Sequence, residues 1–371
     1  MADYKKYQSD GVSAEDKALD KFAELMIEKI ESLKNSDSWK QPWFTEGSLR
    51  WPRNLSGREY NGMNALLLMM LCEKQNYKLP VFCTFNRAVG LNYTTDKQGA
   101  KKPITDADGQ PLPRVGINKG EKSFPVMLTT FTVVDKDTKE KINYEDYKRL
   151  SNDEKAQYNV YPKLNVYQVF NVDQTNLKEA RPDLYAKLES ENKLQRPFSG
   201  EGESFKLPAM DAMIAENKWI CPINLVHQDN AYFSISKNQI TLPEKSQFKD
   251  GESFYGTAFH EMTHSTGTAE MFNRFNPESG FGSAEYAKEE LVAELGSALV
   301  AQRYGMTKNL KDDSAVYMKS WLDSLKESPS FIKTTLMDVK RATSVITQRI
   351  DEVALELEAK QSQTNDKSVS M

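Results

Sequence analysis

Five consecutive residues constrain this chain most tightly: His260-Glu261-Met262-Thr263-His264. On a helix, side chains four apart share a face. Two imidazoles placed so can grip one zinc ion at ~2.0–2.1 Å, while the glutamate between them reaches the water that the metal acidifies. Zinc lowers the pKa of that water toward ~7, and a neighbouring carboxylate serves as general base. The chain has three histidines, and two of them fall in this motif. The ordinary alternative is a pair of solvent-facing helical histidines with a chance glutamate between them. The motif predicts a helix over Glu252 to Thr266, with His260 and His264 as metal ligands and Glu261 as the catalytic base.

A catalytic zinc needs a third protein ligand and an open position. Downstream, the run KEELVAELGSALV predicts a second helix from Ala284 to Tyr304. Its Glu290, Ala293, Glu294 and Ser297 share a face, alongside small Gly296 and Ala298, and such a face suits close approach to another helix. Carboxylates buried there need a metal or a hydrogen-bond partner. Glu290 is assigned as third ligand. Glu294, one turn on, is assigned to hold a ligand histidine by its other ring nitrogen. Glu285 and Glu289 read as solvated. Spacing leaves three other options open for the third ligand. They are Glu294 itself, Glu270 in a HExxHxxGxxH-like position, and His227, 33 residues upstream of His260.

The rest of the chain supplies a frame for this site. Its 371 residues suggest about two domains, and 39% hydrophobic residues suffice for a buried core. Three cysteines without a CxxC pair exclude a disulfide framework or a cysteine-rich finger. The N-terminus lacks an apolar segment of the secretory kind, and no apolar run approaches the ~20 residues of a membrane span. These features predict a cytoplasmic protein with no membrane partner. Periodicity predicts helices over residues 13 to 35, with Ser13 as cap, and over Gly62 to Gln75. Strands are expected over Pro125 to Val134 and Asn165 to Phe170, with a charged, solvated, partly helical insertion from Asp135 to Asn159. The stretch Gln195 to Ser204 reads as a linker between domains 13–194 and 205–350. Beyond it, helices are expected over Lys206 to Asn217, Ser314 to Glu327 and Ile332 to Glu358. Two short strands fall within Ala231 to Leu242, and residues 359–371 read as a polar disordered tail. The expected fold class is α+β, with an α+β first domain and a mainly helical second one.

The net charge of -4 hides an asymmetry. From Ser48 to Pro125 there are 12 basic and 6 acidic residues, a surplus of six that leaves the remainder at -10. Aromatic residues run just ahead of this basic stretch and through it: Trp39, Trp43, Phe44, Trp51, Tyr60, Tyr77, Phe82, Phe85 and Tyr93. Single-stranded nucleic acid is bound by combining a cationic groove with flat side chains on which bases stack. Taken alone the pattern is a weak signal, because most aromatics in a domain are core and most basic residues are solvated.

Several motifs then occur in a fixed order. They are Trp39-Lys-Gln-Pro-Trp43, Pro52-Arg-Asn54-Leu-Ser-Gly57-Arg-Glu-Tyr60-Asn-Gly62-Met-Asn64, Asn118-Lys119-Gly120-Glu121-Lys122 and Val169-Phe170-Asn171-Val172-Asp173-Gln174. In the second half come YGTAFHEMTHSTG from Tyr255, Asn273-Arg274, YAKEELVAEL from Tyr286 and YMKSWLDSL from Tyr317. Together they resemble ArdC-like antirestriction proteins over residues 14 to 350. The resemblance implies a single-stranded-DNA-binding domain joined to a zincin-like metallopeptidase domain, carried by plasmids or other mobile elements and protecting incoming DNA from restriction. It supports His260 and His264 as ligands, with a carboxylate of the EELVAE segment as third, and lowers the Glu270 option. Two departures are Glu-Met271-Phe before Asn273-Arg274 and the long insertion. Arg53, Arg58, Lys119 and Lys122 are expected to meet phosphates, and Trp43, Tyr60 and Phe85 to stack on bases. The expected function is an antirestriction protein that binds single-stranded DNA and holds one Zn2+ in a peptidase-like site. One rival is a DNA-coating protein with a structural or vestigial metal. Another is a peptidase that cleaves a host protein. A host restriction component or a peptide are the further partners these readings imply.

Overall fold

Leu19, Phe22, Leu25, Met26 and Ile30 recur every three or four residues, and the chain there winds into helix α1 (Ala14–Asn35). Ser13 caps it, its hydroxyl accepting from the Asp16 amide at 3.0 Å. The computed structural model describes residues 13–35, 51–96, 98–192, 205–275, 283–306, 318–327 and 329–369. Trp43 and the expected linker Gln195 to Ser204 lie outside the described residues.

The first half continues through β1 (Arg53–Asn54), α2 (Gly62–Gln75), β2 (Val81–Cys83), α3 (Phe85–Gly90), β3 (Tyr93–Thr95) and β4 (Lys101–Pro103). Then come β5 (Phe124–Asp135), β6 (Lys141–Ile142), α4 (Tyr144–Arg149), α5 (Asn152–Lys155), β7 (Tyr158–Asn171), α6 (Leu177–Ala180) and α7 (Pro182–Glu191). Five strands form one sheet in the order β1-β2-β7-β5-β6. Its axis is the β5–β7 hairpin, antiparallel from Phe124 against Val169 to Asp135 against Tyr158. The strands run further than expected: Asp135 at the start of the insertion extends β5, and Tyr158 and Asn159 at its end together with residues 160–164 extend β7, all paired across the ladder. The insertion itself caps the tip: Phe131 stacks on Tyr144 with ring centroids 4.2 Å apart, and no residue of α4 is buried. The base of the hairpin is core, whereas Leu128 to Thr132 are exposed, so the hairpin projects from the body.

The second half comprises α8 (Pro208–Ala215), β8 (Ile223–Val226), β9 (Tyr232–Ser234), β10 (Gln239–Pro243), α9 (Gly251–Ser265), α10 (Ala284–Arg303), α11 (Met318–Glu327) and α12 (Pro329–Val369). Its three-stranded sheet has the order β8-β10-β9, with β8 parallel and β9 antiparallel to β10. The helix α12 runs on to Val369, into the 359–371 segment expected to be a disordered tail. That segment has neither glycine nor proline before its end, and Ala359, Lys360 and Gln361 are good helix formers, so an established helix extends at little cost. Among the described residues no helix is long and apolar enough to cross a membrane.

Two cores meet along α12. Ile332, Leu336 and Val339 join a cluster with α1, α2, the base of β5, α10 and Trp321. Ile346, Ile350 and Val353, further along the same face, join a second cluster with α8, β10 and α9. The 41-residue helix is about 60 Å long at 1.5 Å per residue, enough to serve both. Polar contacts reinforce the junction: Lys326 pairs with Glu31 at 3.0 Å, Lys333 with Glu15, and Arg303 with Glu59. Elements of both halves of the sequence therefore share the first of these cores.

Candidate metal centre

Helix α9 starts where the Asp250 carboxylate accepts from the Ser253 amide at 2.7 Å. Its buried face packs Phe254, Ala258, Phe259 and Met262 into the second core, which fixes the rotation of the helix and with it the direction of His260 and His264. Helix α10 lies against it. A Cβ at Gly296 would stand 2.8 Å from Thr263 Cγ2, so only glycine permits this approach, as the small-residue face predicted. The other side of α10, Ala287, Leu291, Leu295 and Leu299, is held in the first core. Each helix is thus braced by a different core, and the facing surfaces carry the site.

The imidazole Nε2 atoms of His260 and His264 are 3.2 Å apart. Glu290 stands 3.5 Å from the first through Oε2 and 3.8 Å from the second through Oε1. Ligand atoms bound at ~2.0–2.1 Å to one tetrahedral ion stand about 3.3 Å from each other, so the three side chains fit a single metal. They also form the one group of histidine, cysteine or acidic side chains among the described residues that could hold a metal ion. Glu294 Oε1 lies 3.4 Å from His260 Nδ1, on the ring edge away from the cluster. Glu261 is 2% exposed and Glu294 fully buried. Buried carboxylates in such number call for positive charge nearby.

One acid breaks the sequence expectation. Glu289, read as solvated, is turned inward: its Oε1 accepts from His264 Nδ1 at 3.1 Å, and both its oxygens accept from Arg274 at 2.8 Å. Adjacent helical positions point about 100° apart, so spacing alone assigns Glu289 to the flank of the site, and its partner comes from a loop that periodicity cannot place. Burial opposes charge on His264, but its hydrogen bond to Glu289 and the nearby Glu290 and Glu261 outweigh it and raise its pKa. Burial likewise opposes ionisation of Glu289, yet Arg274 and His264 hold its carboxyl below the usual range. Glu270 and His227 are not members of the cluster. Glu270 is exposed in the turn after α9, and the His227 side chain is 79% exposed with Glu244 3.5 Å away.

The residues singled out for DNA are scattered. Arg58 is exposed beside the turn at Gly57, where φ is +88°. Lys119 and Lys122 are exposed on a loop pinned from below by Gln174, whose amide donates to the Lys122 carbonyl at 2.9 Å. Phe85, at the start of α3, is 55% exposed. Arg53 instead pairs with Glu191 at 2.9 Å, and Tyr60 is half-buried edge-on against Phe82, where burial pushes its hydroxyl up to about 12. The sequence reading passed over Tyr161 and Tyr167, 55% and 43% exposed on β7. They alternate with Lys163 and Asn165 along one face of the projecting hairpin.

Residues 16–170 match the N-terminal domain of anti-restriction factor ArdC, and residues 208–336 match a zincin-like metallopeptidase domain. The metal-free crystal structure of the antirestriction ArdC protein from plasmid R388 superposes with a TM-score of 0.60 at 22% identity, covering 90% of this chain and 98% of that one. Its Mn(II)-bound form gives 0.59, covering 90% and 97%. An Escherichia coli DNA primase TraC is 29% identical over 352 residues, which is 92% of this chain but 20% of the primase. A second TraC is 26% identical over 353 residues, covering 94% of this chain and 28% of that protein. The uncharacterized protein y4eC of Sinorhizobium fredii is 33% identical over 104 residues, 28% of this chain and 34% of y4eC. The chain spans between a fifth and about a third of the length of these curated relatives. The fold and the two matched domains define a mixed α and β protein with an anti-restriction-type first half and a zincin-like second half. The chain belongs to the ArdC-like antirestriction family.

Proposed function

We propose that this chain is a cytoplasmic antirestriction protein of a mobile element. In this reading it binds single-stranded DNA through its first half and holds one divalent ion through His260, His264 and Glu290. The observation that carries the metal reading is the convergence of the three side chains: the two Nε2 atoms are 3.2 Å apart, each has a Glu290 oxygen within 3.8 Å, and one ligand atom from each residue lies within 4.8 Å of the other two. Two imidazoles and a carboxylate suit zinc, and manganese is the alternative because it is the ion bound by the related plasmid protein. When bound, the ion would supply Lewis acidity toward water and toward a carbonyl oxygen. Glu261 would take the proton from the attacking water, and Glu294 would orient His260 through Nδ1. Metal analysis of the purified protein, paired with a peptide-hydrolysis assay of Glu261→Gln, tests this. The variant should keep the ion and lose hydrolysis, and hydrolysis that persists undiminished removes the mechanism.

The DNA reading is supported by the exposed Arg58, Phe85, Lys119 and Lys122 and by the Tyr161–Tyr167 face. Arg53 and Tyr60, tied into the fold, would shape this surface from behind. Binding of the whole chain to single- and double-stranded DNA across a salt series tests it, since phosphate contacts release counterions and give a falling log K with log salt. Equal affinity for both forms would defeat it.

The depth of the cluster favours a second reading. The His260 side chain is 1% exposed and those of His264 and Glu290 12%, which restricts a polypeptide's approach. In that reading the ion is structural and protection comes from DNA coating. Protection against restriction would then survive Glu261→Gln and be lost when the basic and aromatic surface is replaced. A peptidase acting on a host protein, restriction component or otherwise, would instead leave a defined cleavage product.

A further inference from the structure

We infer that Arg274, acting through Glu289, is the positioning residue that fixes the tautomer and orientation of His264. The inference rests on the metal-binding reading above. After α9 the chain folds back on itself: the amides of Arg274 and Phe275 both donate to the Gly267 carbonyl, at 2.9 and 3.3 Å. Two backbone features permit the wrap. Asn273 adopts a left-handed φ of +47°, which asparagine tolerates. A Cβ at Gly267 would stand 2.9 Å from Phe275 Cε2 and 3.0 Å from the His264 carbonyl oxygen, so a side chain there would force the loop outward.

The wrap returns Arg274 to the ligand helix, where its side chain is 4% exposed. Its guanidinium joins three places. Nη2 donates to the Thr263 carbonyl at 2.8 Å, Nη1 to Thr266 Oγ1 at 2.9 Å, and Nε with Nη2 grips the two oxygens of Glu289 at 2.8 Å each. The fork and carboxylate are therefore bidentate, which sets the plane of Glu289 as well as its place. Glu289 Oε1 then meets His264 Nδ1 at 3.1 Å. A neutral imidazole carries one N–H. An acceptor fixed at Nδ1 puts the hydrogen there and leaves the Nε2 lone pair aimed at His260 and Glu290. Without Arg274, Glu289 would be a buried carboxylate with its strongest partner gone, free to turn from His264. Lysine offers a point charge in place of a planar fork and would not restore the orientation.

The test uses the whole chain. Zinc affinity is measured against a competing chelator for wild type, Arg274→Ala, Arg274→Lys, Glu289→Ala and the Arg274→Ala/Glu289→Ala pair. Loss of a group that orients a metal-ligating histidine costs ~10–100-fold in affinity, so each single alanine variant should lose that much. Arg274→Lys should recover little of it. Because both residues serve one chain of contacts, the double variant should bind about as well as the weaker single. A metal-free readout, taken at a pH where the ring is neutral, accompanies this: long-range proton–nitrogen spectra of the three histidines should show His264 as the Nδ1–H tautomer in wild type and a mixture in the variants. If an alanine variant unfolds, Glu289→Gln preserves the shape of the side chain but sets an amide donor against either Arg274 or His264, and should still mix the tautomers. Unchanged zinc affinity, fully additive losses, or an unchanged tautomer would overturn this inference alone. A wild-type chain that binds neither zinc nor manganese would overturn the metal reading and this inference with it.

Discussion

The candidate metal centre and the first half of this chain, proposed to bind DNA, are built on opposite plans. At the centre the chemistry is concentrated: two adjacent helices, each braced by its own core, present two histidines and four buried or nearly buried acids to one another. In the first half the exposed cations and rings are spread over the Gly57 turn, the start of α3, the Lys119–Lys122 loop and the hairpin face. A metal ion demands a few atoms at fixed distances, so its site must be local and rigid. A flexible charged polymer tolerates many weak contacts along a path, so its surface can be diffuse. The two should therefore fail differently when the molecule is altered.

The sharpest break in this comparison is to separate the halves. If they were independent, residues 1–200 would keep a native first half. In the structure α1 and α2 bury their apolar faces against α10, α11 and α12, and Phe22, Met26, Leu66 and Leu68 are within two per cent of full burial there. Cut free, that face meets water, and each such side chain forfeits roughly 1.5–3 kcal/mol of burial. Several losses of this size exceed the ~5–15 kcal/mol that holds a domain together. Residues 1–200 alone are expected to lack a cooperative melting transition, and co-expression with residues 205–371 should restore it. A sharp transition in the isolated fragment would mean that the shared interior is dispensable.

Removing the metal comes next in size. If His260, His264 and Glu290 bind one ion, a ligand held by the folded state alone adds about 4 kcal/mol at a free concentration 1,000 times its Kd. Zinc addition should raise the melting temperature of wild type by several degrees, and a chelator should abolish the rise. His264→Ala should show no zinc-dependent rise, while its affinity for DNA should stay near wild type because the basic surface is untouched. Joint loss of both properties would point to a coupling between the halves that the separate bracing of α9 and α10 does not require.

How much of this was legible beforehand follows from the range of each interaction. The bounds of α2 and the pairing of His260 with His264 depend on neighbours within one or two turns, and periodicity read them directly. Gly296 signalled close helix contact because small size has few other uses on a buried face. Glu289 was misread because its burial is decided by Arg274, which arrives through a folded-back loop. The union of the halves was hidden for the same reason: it depends on one face of α12 meeting elements more than 250 residues away in sequence. Tyr161 and Tyr167 were passed over because β alternation on a projecting hairpin resembles ordinary strand patterning until its exposure is known.

The smallest expected effects belong to the diffuse surface, and they sharpen the comparison from its other side. Tyr161 and Tyr167 are spaced along one strand face with Lys163 between them, a pattern on which successive bases could stack. Stacking is worth ~1–3 kcal/mol per base by alanine substitution, so Tyr161→Ala and Tyr167→Ala should each weaken single-stranded DNA binding by roughly 5- to 150-fold. Lys119→Ala and Lys122→Ala should do less at low salt. Their signature is a salt slope shallower by about 0.7 for each phosphate contact removed. All four side chains are exposed or nearly so, and none joins a buried cluster, so zinc-dependent melting should be unchanged in every variant. Anisotropy titrations of a labelled oligonucleotide at three salt concentrations measure both quantities. Loss of affinity with an unchanged slope for the lysines would assign them to shape rather than charge, and unchanged affinity for both tyrosines would move the stacking surface off the hairpin.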